Sequence, residues 1–216
     1  MFVSDELFRE VDEEVRQDQF QKLWSRYRFY LLAAVMLIVG ATVAVVVWRG
    51  AQQSARDTDS TRFLAAVVQE QAARDVALEQ LRDLAREGTP GYRLLASMRE
   101  AGLLAGSGQV SEAIAVFDSI SADTDVATPY RDMSRLLAVA HGMALMSSAE
   151  VAERLSDMAA PSNAFRVTAR EFLALAAMKA GDAARAREML QANIEDRDTP
   201  RASRARASEL LAVVGP

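Results

Sequence analysis

Seventeen consecutive residues, Leu31–Val47, carry no charge. The run is apolar on every side of a helix, whereas a core helix of a globular domain normally has one polar face. With Tyr30 and Trp48 at its ends it would form a helix of about 28 Å, close to the roughly 30 Å of a bilayer's hydrocarbon core. Aromatic rings at such ends suit the headgroup layer. Residues 30–48 are therefore predicted to be a single transmembrane helix.

Residues 1–29 precede this run and are predicted to form a cytoplasmic amphipathic segment. Ser4–Glu6 supplies a hydroxyl cap and two acids for a helix start. Apolar residues then recur at three- and four-residue spacing: Leu7, Val11, Val15, Phe20, Leu23, Trp24 and Tyr27. The stripe suits contact with lipid headgroups or, alternatively, docking of a cytoplasmic partner. A cleaved signal peptide is disfavoured because the leader is acidic in its first half and no small-residue cleavage site follows Trp48.

Residues 49–216 show helical spacing of apolar positions and no strand pattern, and they contain a repeat. The repeat is anchored at Ala77, Ala113, Val151 and Ala186, which are 36, 38 and 35 residues apart. Large apolar residues follow four positions later: Leu81, Phe117, Leu155 and Leu190. Small or β-branched residues lie twelve positions before the anchors: Ala65, Ala101, Val139 and Ala174. This interval is close to the period of about 34 typical of tetratricopeptide helix pairs.

Prolines mark the predicted boundaries of the pairs, since proline suits the first turn of a helix and breaks its interior. They are Pro90, Pro129, Pro161 and Pro200. The predicted pairs are 50–73 with 75–87, 91–106 with 109–121, 128–146 with 148–160, and 162–180 with 182–194. A capping helix at 200–213 would cover the last pair with Leu210, Leu211 and Val214, leaving Arg201, Arg204 and Arg206 in solvent.

The predicted fold class is therefore all-α. It consists of an N-terminal amphipathic helix, a single transmembrane helix, and a tetratricopeptide-like α-solenoid of about four helix pairs plus a capping helix, at 49–216. Because Pro and Gly are absent between Ala51 and Gly88, we expect the anchor helix to run directly into the first helix of the repeats. Stacked pairs form a curved layer with a concave face.

Composition excludes several classes of function. The chain has no Cys, which rules out disulfides, thiol nucleophiles and thiolate metal sites. Its net charge is −5, and residues 49–216 hold 20 basic and 23 acidic residues, so a nucleic-acid-binding surface is not expected. Four basic residues between 15 and 29 against three between 49 and 64 slightly favour a cytoplasmic N-terminus.

No catalytic, cofactor-binding or metal site is predicted, and no small-molecule substrate. His141 is the only histidine and has no Cys or His partner. Glu150 and Glu153 lie three residues apart on one helical face, and such pairs of carboxylates are usually solvated and not catalytic. Ser147 suits a helix cap better than a nucleophile. If the first helices of the pairs face inward, the candidate protein-binding groove is lined by Arg93, Met98, Arg131, Arg135, His141, Arg166 and Arg170. Binding in such a groove should be transient and weaken with salt.

The order of three segments carries a resemblance: Asp5–Glu14 before the apolar run, Gly91–Ala96 entering a helix, and Ala174–Asp182 at the last repeat turn. The chain resembles the bacterial tetratricopeptide repeat-like inner-membrane family whose best-known members are ancillary Sec translocon subunits, the YfgM-like proteins. The resemblance implies an inner-membrane protein with a cytoplasmic N-terminus, a periplasmic domain, and a non-catalytic role beside translocon subunits and a membrane-anchored periplasmic chaperone. The tetratricopeptide consensus Trp and Tyr of the first helix are missing here.

Three hypotheses for function follow. The first is a membrane-anchored, non-catalytic protein–protein interaction scaffold. The second is a membrane-tethered regulator that signals through its acidic cytoplasmic leader. The third, a ligand-binding or enzymatic domain, requires a convergent polar pocket, for which the sequence offers no pattern.

Overall fold

A computed structural model describes the backbone of residues 4–215 and the side chains of Trp24 and residues 26–215. Every regular element in that part of the chain is a helix, which confirms the predicted all-α class. The chain divides into two compact units, residues 1–55 and 56–216.

The first helix, α1, spans Ser4–Gln69 without a break. The lack of Pro and Gly between Ala51 and Gly88 predicts its continuation beyond the apolar run, whereas the amphipathic segment and the transmembrane helix were predicted as separate elements. Within the first unit its apolar run is exposed on all sides, and Val39 is 52 % exposed. The Thr42 hydroxyl in this run donates 2.8 Å to the carbonyl of Ile38, so its polar group is satisfied inside the helix. The described part of the chain thus contains one helix long and apolar enough to cross a bilayer.

Eight further α-helices follow within the described residues: α2 (Arg74–Glu87), α3 (Pro90–Gly106), α4 (Val110–Ala122), α5 (Thr128–Gly142), α6 (Ser148–Leu155), α7 (Arg166–Lys179), α8 (Ala183–Glu195) and α9 (Arg201–Val214). A short 3₁₀ helix, Asp157–Ala159, follows α6. The predicted bounds of α2, α3, α4, α8 and α9 are met within one residue. The tight turns before α4 and α8 contain Gly108 and Gly181, whose φ angles of 83° and 78° require a residue without a Cβ.

Other predicted bounds were too long, for local reasons. The helix predicted at 162–180 begins only at Arg166, because Asn163 first forms a side-chain turn with the amide of Phe165 (2.8 Å). The helix predicted at 148–160 ends at Leu155 and gives way to the 3₁₀ helix. Its start is as predicted, with Ser147 and Glu150 forming a reciprocal capping box. The helices predicted to end at 146 and 73 end at Gly142 and Gln69 and continue as turns.

The predicted repeat frame matches the core of the second unit. All four anchors, Ala77, Ala113, Val151 and Ala186, are fully buried. The large residues four positions later are buried as well: Leu81, Phe117, Leu155 and Leu190. Three hydrophobic clusters follow one another along the unit, containing respectively Leu84, Ile120 and Leu173. Ile114 packs against both of the last two clusters. The core is therefore built from successive layers.

Three predictions about single residues were wrong. Ala65 is exposed and Ala66 is buried in its place, so the frame is shifted by one residue in the first pair. The repeat frame predicts that Ala183 is exposed, three residues before the anchor Ala186, but it is half-buried at the start of α8. Arg204 does not stay in solvent: it is half-buried and donates to the carbonyls of Asp196 (3.1 Å) and Thr199 (3.2 Å). It thereby closes the loop between α8 and α9.

The capping role of α9 is supported by its packing. Its apolar residues Leu210, Leu211 and Val214 pack against the cluster formed by α5 to α8. Arg206 remains exposed and pairs with Glu171 of α7 at 2.9 Å.

Candidate functional site

The five arginines of the predicted groove fall at two recurring positions of the helix pairs. The first position holds Arg93, Arg131 and Arg166 on α3, α5 and α7. The second position, four residues later, holds Ser97, Arg135 and Arg170. Residues four apart lie on one face of a helix. The intervals of 38 and 35 residues are the same as those between the anchors of the second helices. The three pairs can therefore be compared position by position.

In the fourth pair both arginines bind one carboxylate. Arg166 Nε lies 2.6 Å from Asp196 Oδ2, and Arg170 Nη1 lies 3.0 Å from the same oxygen. Asp196 is the C-cap of α8, and its side chain is only 14 % exposed. The guanidinium of Arg166, followed by the amide of Asp198 and by Arg170, holds the pKa of the Asp196 carboxyl well below its ordinary value. Such charge-assisted bonds are the stronger kind.

Arg170 also closes the space between neighbouring elements. Its side chain is 8 % exposed. Its Nε donates 3.0 Å to the carbonyl of Ala159, and its Nη1 donates 3.4 Å to the carbonyl of Ala192. One guanidinium thus joins the 3₁₀ helix, α7 and the end of α8, which is a structural role.

In the third pair the arginine at the second position, Arg135, binds a different carboxylate. Here Pro161 and Asn163 occupy the positions that correspond to Asp196 and Asp198. Arg135 turns instead to Asp157 of the 3₁₀ helix, with Nη1 3.0 Å from Oδ2. This hydrogen-bonded pairing lowers the pKa of the Asp157 carboxyl. Arg131 donates 3.1 Å to the hydroxyl of Thr128, while its buried Nε has no acceptor among the described residues.

In the second pair the corresponding place is open. A cavity of about 500 Å³, which we call the α3–α4 cleft, lies between the start of α3 and the end of α4. It is lined by Ala85, Pro90, Gly91, Arg93, Leu94, Ser97, Ser119, Ile120, Asp123, Asp125 and Val126. Arg93 is exposed. Within the described part of the chain, the side chain of Arg93 has no hydrogen bond and no ion pair.

The cleft and the fourth-pair cluster are equivalent sites, 73 residues apart in sequence. Arg93 corresponds to Arg166, Asp123 to Asp196, and Asp125 to Asp198. The loops have the same local geometry, because the Asp125 amide donates 2.9 Å to Asp123 Oδ1 and the Asp198 amide donates 3.0 Å to Asp196 Oδ1. The two sites differ in two respects: Ser97 stands where the fourth pair has Arg170, and Arg93 forms no ion pair with Asp123 whereas Arg166 binds Asp196. The cleft therefore lacks the side chain that fills its counterpart.

Met98 and His141 do not line the α3–α4 cleft; both contact the hydrophobic cluster that contains Phe117. Met98 packs against the cluster of Ala101, Phe117, Ile120 and Ala138, to which the cleft residue Leu94 also contributes. The exposed imidazole of His141 stacks on the ring of Phe117, with centroids 5.9 Å apart and planes 2° apart. The structure thus distributes the seven predicted residues over three pairs, and their role in protein binding stays a prediction.

Sequence reasoning missed Ser97, Asp123 and Asp125. A signal for them existed, since Asp123-Thr124-Asp125 and Asp196-Arg197-Asp198 recur 73 residues apart, the interval between Ala113 and Ala186. The apolar spacing that defines the repeat frame does not mark these polar positions.

The arrangement can bind charged groups through hydrogen bonds and ion pairs. In the described part of the chain no three His, Asp or Glu residues come together as ligands for a metal ion. No protein-family model, no curated protein and no solved structure matches the chain.

Proposed function

We propose that this chain is a membrane-anchored, non-catalytic scaffold that binds other proteins through a stack of helix pairs. The helices from residue 56 to 214 form the stack, and the apolar run of α1 anchors it. We further propose that it is an ancillary subunit of the protein-export translocon, located in the bacterial inner membrane with its helical domain in the periplasm.

The observation that carries the proposal is a set of contacts between side chains one repeat apart. Arg154 of α6 binds Asp118 of α4, 36 residues earlier, with 2.9 Å between Nη2 and Oδ2. Arg206 of α9 binds Glu171 of α7, 35 residues earlier. In the first contact a second helix meets the second helix of the preceding pair, and in the second contact the capping helix α9 meets the first helix of the preceding pair. This is the pattern expected when each pair packs beside the next in a solenoid.

Solenoids of this kind work mainly as recognition surfaces, because repetition extends a surface without forming a deep catalytic centre. The polar side chains that recur in this frame, such as Arg135, Arg166 and Arg170, pair with carboxylates and carbonyls of neighbouring elements. Their geometry supports an architectural role. The α3–α4 cleft is the place where the recurring position is left open to solvent.

The membrane assignment rests on the exposed apolar run of α1 and on the aromatic residues at its ends. A helix with this exposed surface is stable in a bilayer, where its apolar side chains meet acyl chains and its backbone groups are bonded internally. The slight excess of basic residues before the run supports a cytoplasmic N-terminus. The resemblance to the inner-membrane family supports the periplasmic domain and the translocon and chaperone partners.

The test has two readouts on the full chain in its native membrane. In sealed spheroplasts, external protease should remove residues 56–216 and leave an anchored N-terminal fragment. After extraction in mild detergent, translocon subunits should co-purify with the chain. Protection of the helical domain would reverse the proposed topology, and an accessible domain without export components would refute the translocon assignment.

A matched variant separates scaffold from regulator. Deletion of residues 1–28 keeps the apolar run and the helical domain, so a scaffold should retain its co-purifying partners. Loss of all partners in this variant would favour the regulator that acts through its cytoplasmic leader.

A further inference from the structure

We propose that the α3–α4 cleft binds an arginine side chain carried by a protein partner. The inference rests on the proposed function only in that the ligand belongs to a protein. It adds the position of the site on the stack and the chemistry of the group that enters it.

The fourth pair shows how such a guanidinium is held. There Arg170 lies among Arg166, Asp196 and the carbonyls of Ala159 and Ala192. In the second pair Ser97 occupies the position of Arg170, and its side chain is too short to reach the carboxylate. The space that remains is about 500 Å³, which is ample for a guanidinium and part of its stem. The partner would supply the guanidinium group that Arg170 supplies in the fourth pair.

The acceptors for this group are present and unused. Asp123 and Asp125 are exposed and line the cleft, and neither carboxylate forms an ion pair within the described part of the chain. Asp123 Oδ1 accepts only the local amide of Asp125 among the hydrogen bonds of the described residues. Two carboxylates on one turn present several oxygens to a planar, forked donor, which favours Arg over Lys.

Arg93 lines the same cleft, and its positive charge does not prevent a second arginine from binding there. In the fourth pair, two guanidinium groups share Oδ2 of Asp196, at 2.6 Å from Arg166 and 3.0 Å from Arg170. A carboxylate between two cations is therefore a stable arrangement in this fold. With Asp123 in that position, Arg93 would bind one side and the partner's arginine the other.

Apolar residues complete the site. Leu94, Ile120 and Val126 line the cleft beside the carboxylates. The methylene stem of an arginine packs on such surfaces while its charged head stays at the polar end. A small inorganic cation would make no use of this surface, and two carboxylates alone supply few ligands for one.

The direct test uses the full chain in detergent micelles and a defined probe, N-acetyl-arginine methylamide. We expect it to shift the backbone NMR signals of residues 119–126. N-acetyl-citrulline methylamide has the same shape without the charge and should produce no shifts. A double variant, Asp123→Asn with Asp125→Asn, should weaken arginine binding by about fivefold or more, the scale of an exposed ion pair. Equal shifts from both probes, or unchanged binding by the variant, would overturn the proposal.

A second variant fills the cleft from within. Ser97→Arg should bring a guanidinium to Asp123, as Arg170 reaches Asp196, and should abolish binding of the arginine probe. Ser111→Arg on α4 adds the same charge at an exposed site outside the cleft and should leave binding intact. Competition of the probe by calcium ions at equal concentration would point to a cation site and refute the arginine site.

The outcome for the cleft is separable from that for the scaffold. If the probe binds and no export component co-purifies, the cleft proposal stands and the translocon assignment fails. If Ser97→Arg blocks the probe yet export components co-purify undiminished, the scaffold stands and the cleft is not the partner site.

Discussion

The ammonium group of Lys179 lies 3.0 Å from the carbonyl oxygen of Met143, 36 residues earlier in the chain. It also donates to the carbonyls of Ala144 (3.0 Å) and Met146 (3.1 Å). These carbonyls follow the end of α5, where main-chain acceptors have no helical donors and the helix dipole attracts a cation. The end of α7 thus caps the end of α5, the corresponding helix of the previous pair.

Replacement of Lys179 by Met should lower the free energy of unfolding by about 0.5–1.5 kcal/mol, because it removes hydrogen bonds to carbonyl groups that water replaces only in part. The measurement is thermal or urea unfolding of the full chain in detergent micelles, followed by circular dichroism. Arg201→Met serves as the matched control: this exposed side chain has no partner among the described residues, so a change below about 0.5 kcal/mol is expected. Equal effects of the two substitutions would contradict a capping role for Lys179.

The regular part of the fold could be predicted because its signals are periodic. Ala113, Val151 and Ala186 are buried as their spacing requires, since a crossing of two helices accepts only residues of limited size. The ends of helices were harder to predict, because they depend on contacts distant in sequence. The cap by Lys179 on α5 and the turn of Asn163 before α7 leave no periodic signal in the sequence.

The candidate site was predicted only in part, for an electrostatic reason. The sequence identified Arg93, Arg166 and Arg170 as candidates, but it could not say which of them already had a carboxylate partner. That depends on loops such as 196–200, whose position is fixed by tertiary contacts. The difference between Ser97 and Arg170 became informative only once the two sites were known to be equivalent.

Enlarging the small residues at helix crossings should destabilise the helical domain. Ala113→Leu and Ala186→Leu each add volume at a fully buried position, and overpacking typically costs about 1–3 kcal/mol. Ala115→Leu on α4 is the control, because Ala115 is exposed. The midpoint of urea unfolding should fall for the first two variants only, and equal tolerance at all three positions would remove support for the repeat frame.

The ion pairs of Asp196 should make stability dependent on acidic pH. The pKa of this carboxyl is lowered mainly by Arg166, so its stabilisation is complete above the ordinary value of about 3.9. It is lost as the pH falls from there through the lower pKa of the folded state. Asp196→Asn should therefore be less stable than the wild type at pH 7, with the difference shrinking as the pH falls from about 4 to 2.

The control for this experiment is Asp123→Asn, which changes the equivalent residue of the second pair, where no ion pair is formed. Its melting temperature at pH 7 should match that of the wild type. A shallow pH dependence should persist in Asp196→Asn, because Arg135 also lowers the pKa of Asp157. A stability difference between Asp196→Asn and the wild type that stays constant from pH 7 to 2 would show that the carboxylate charge is not involved.

The last prediction concerns the apolar run of α1. Val39 lies near its middle and is exposed along the helix, so an arginine there would face acyl chains in a bilayer. Insertion of Val39→Arg should cost about 2.5–3.5 kcal/mol more than that of the wild type. Val213→Arg places the same substitution on α9, where the valine is 76 % exposed, and should leave membrane association unchanged. Alkaline carbonate extraction measures both: Val39→Arg should move toward the soluble fraction, while the wild type and Val213→Arg remain in the pellet. Complete extraction of the wild type would show that the run does not anchor the chain, whatever the helical domain binds.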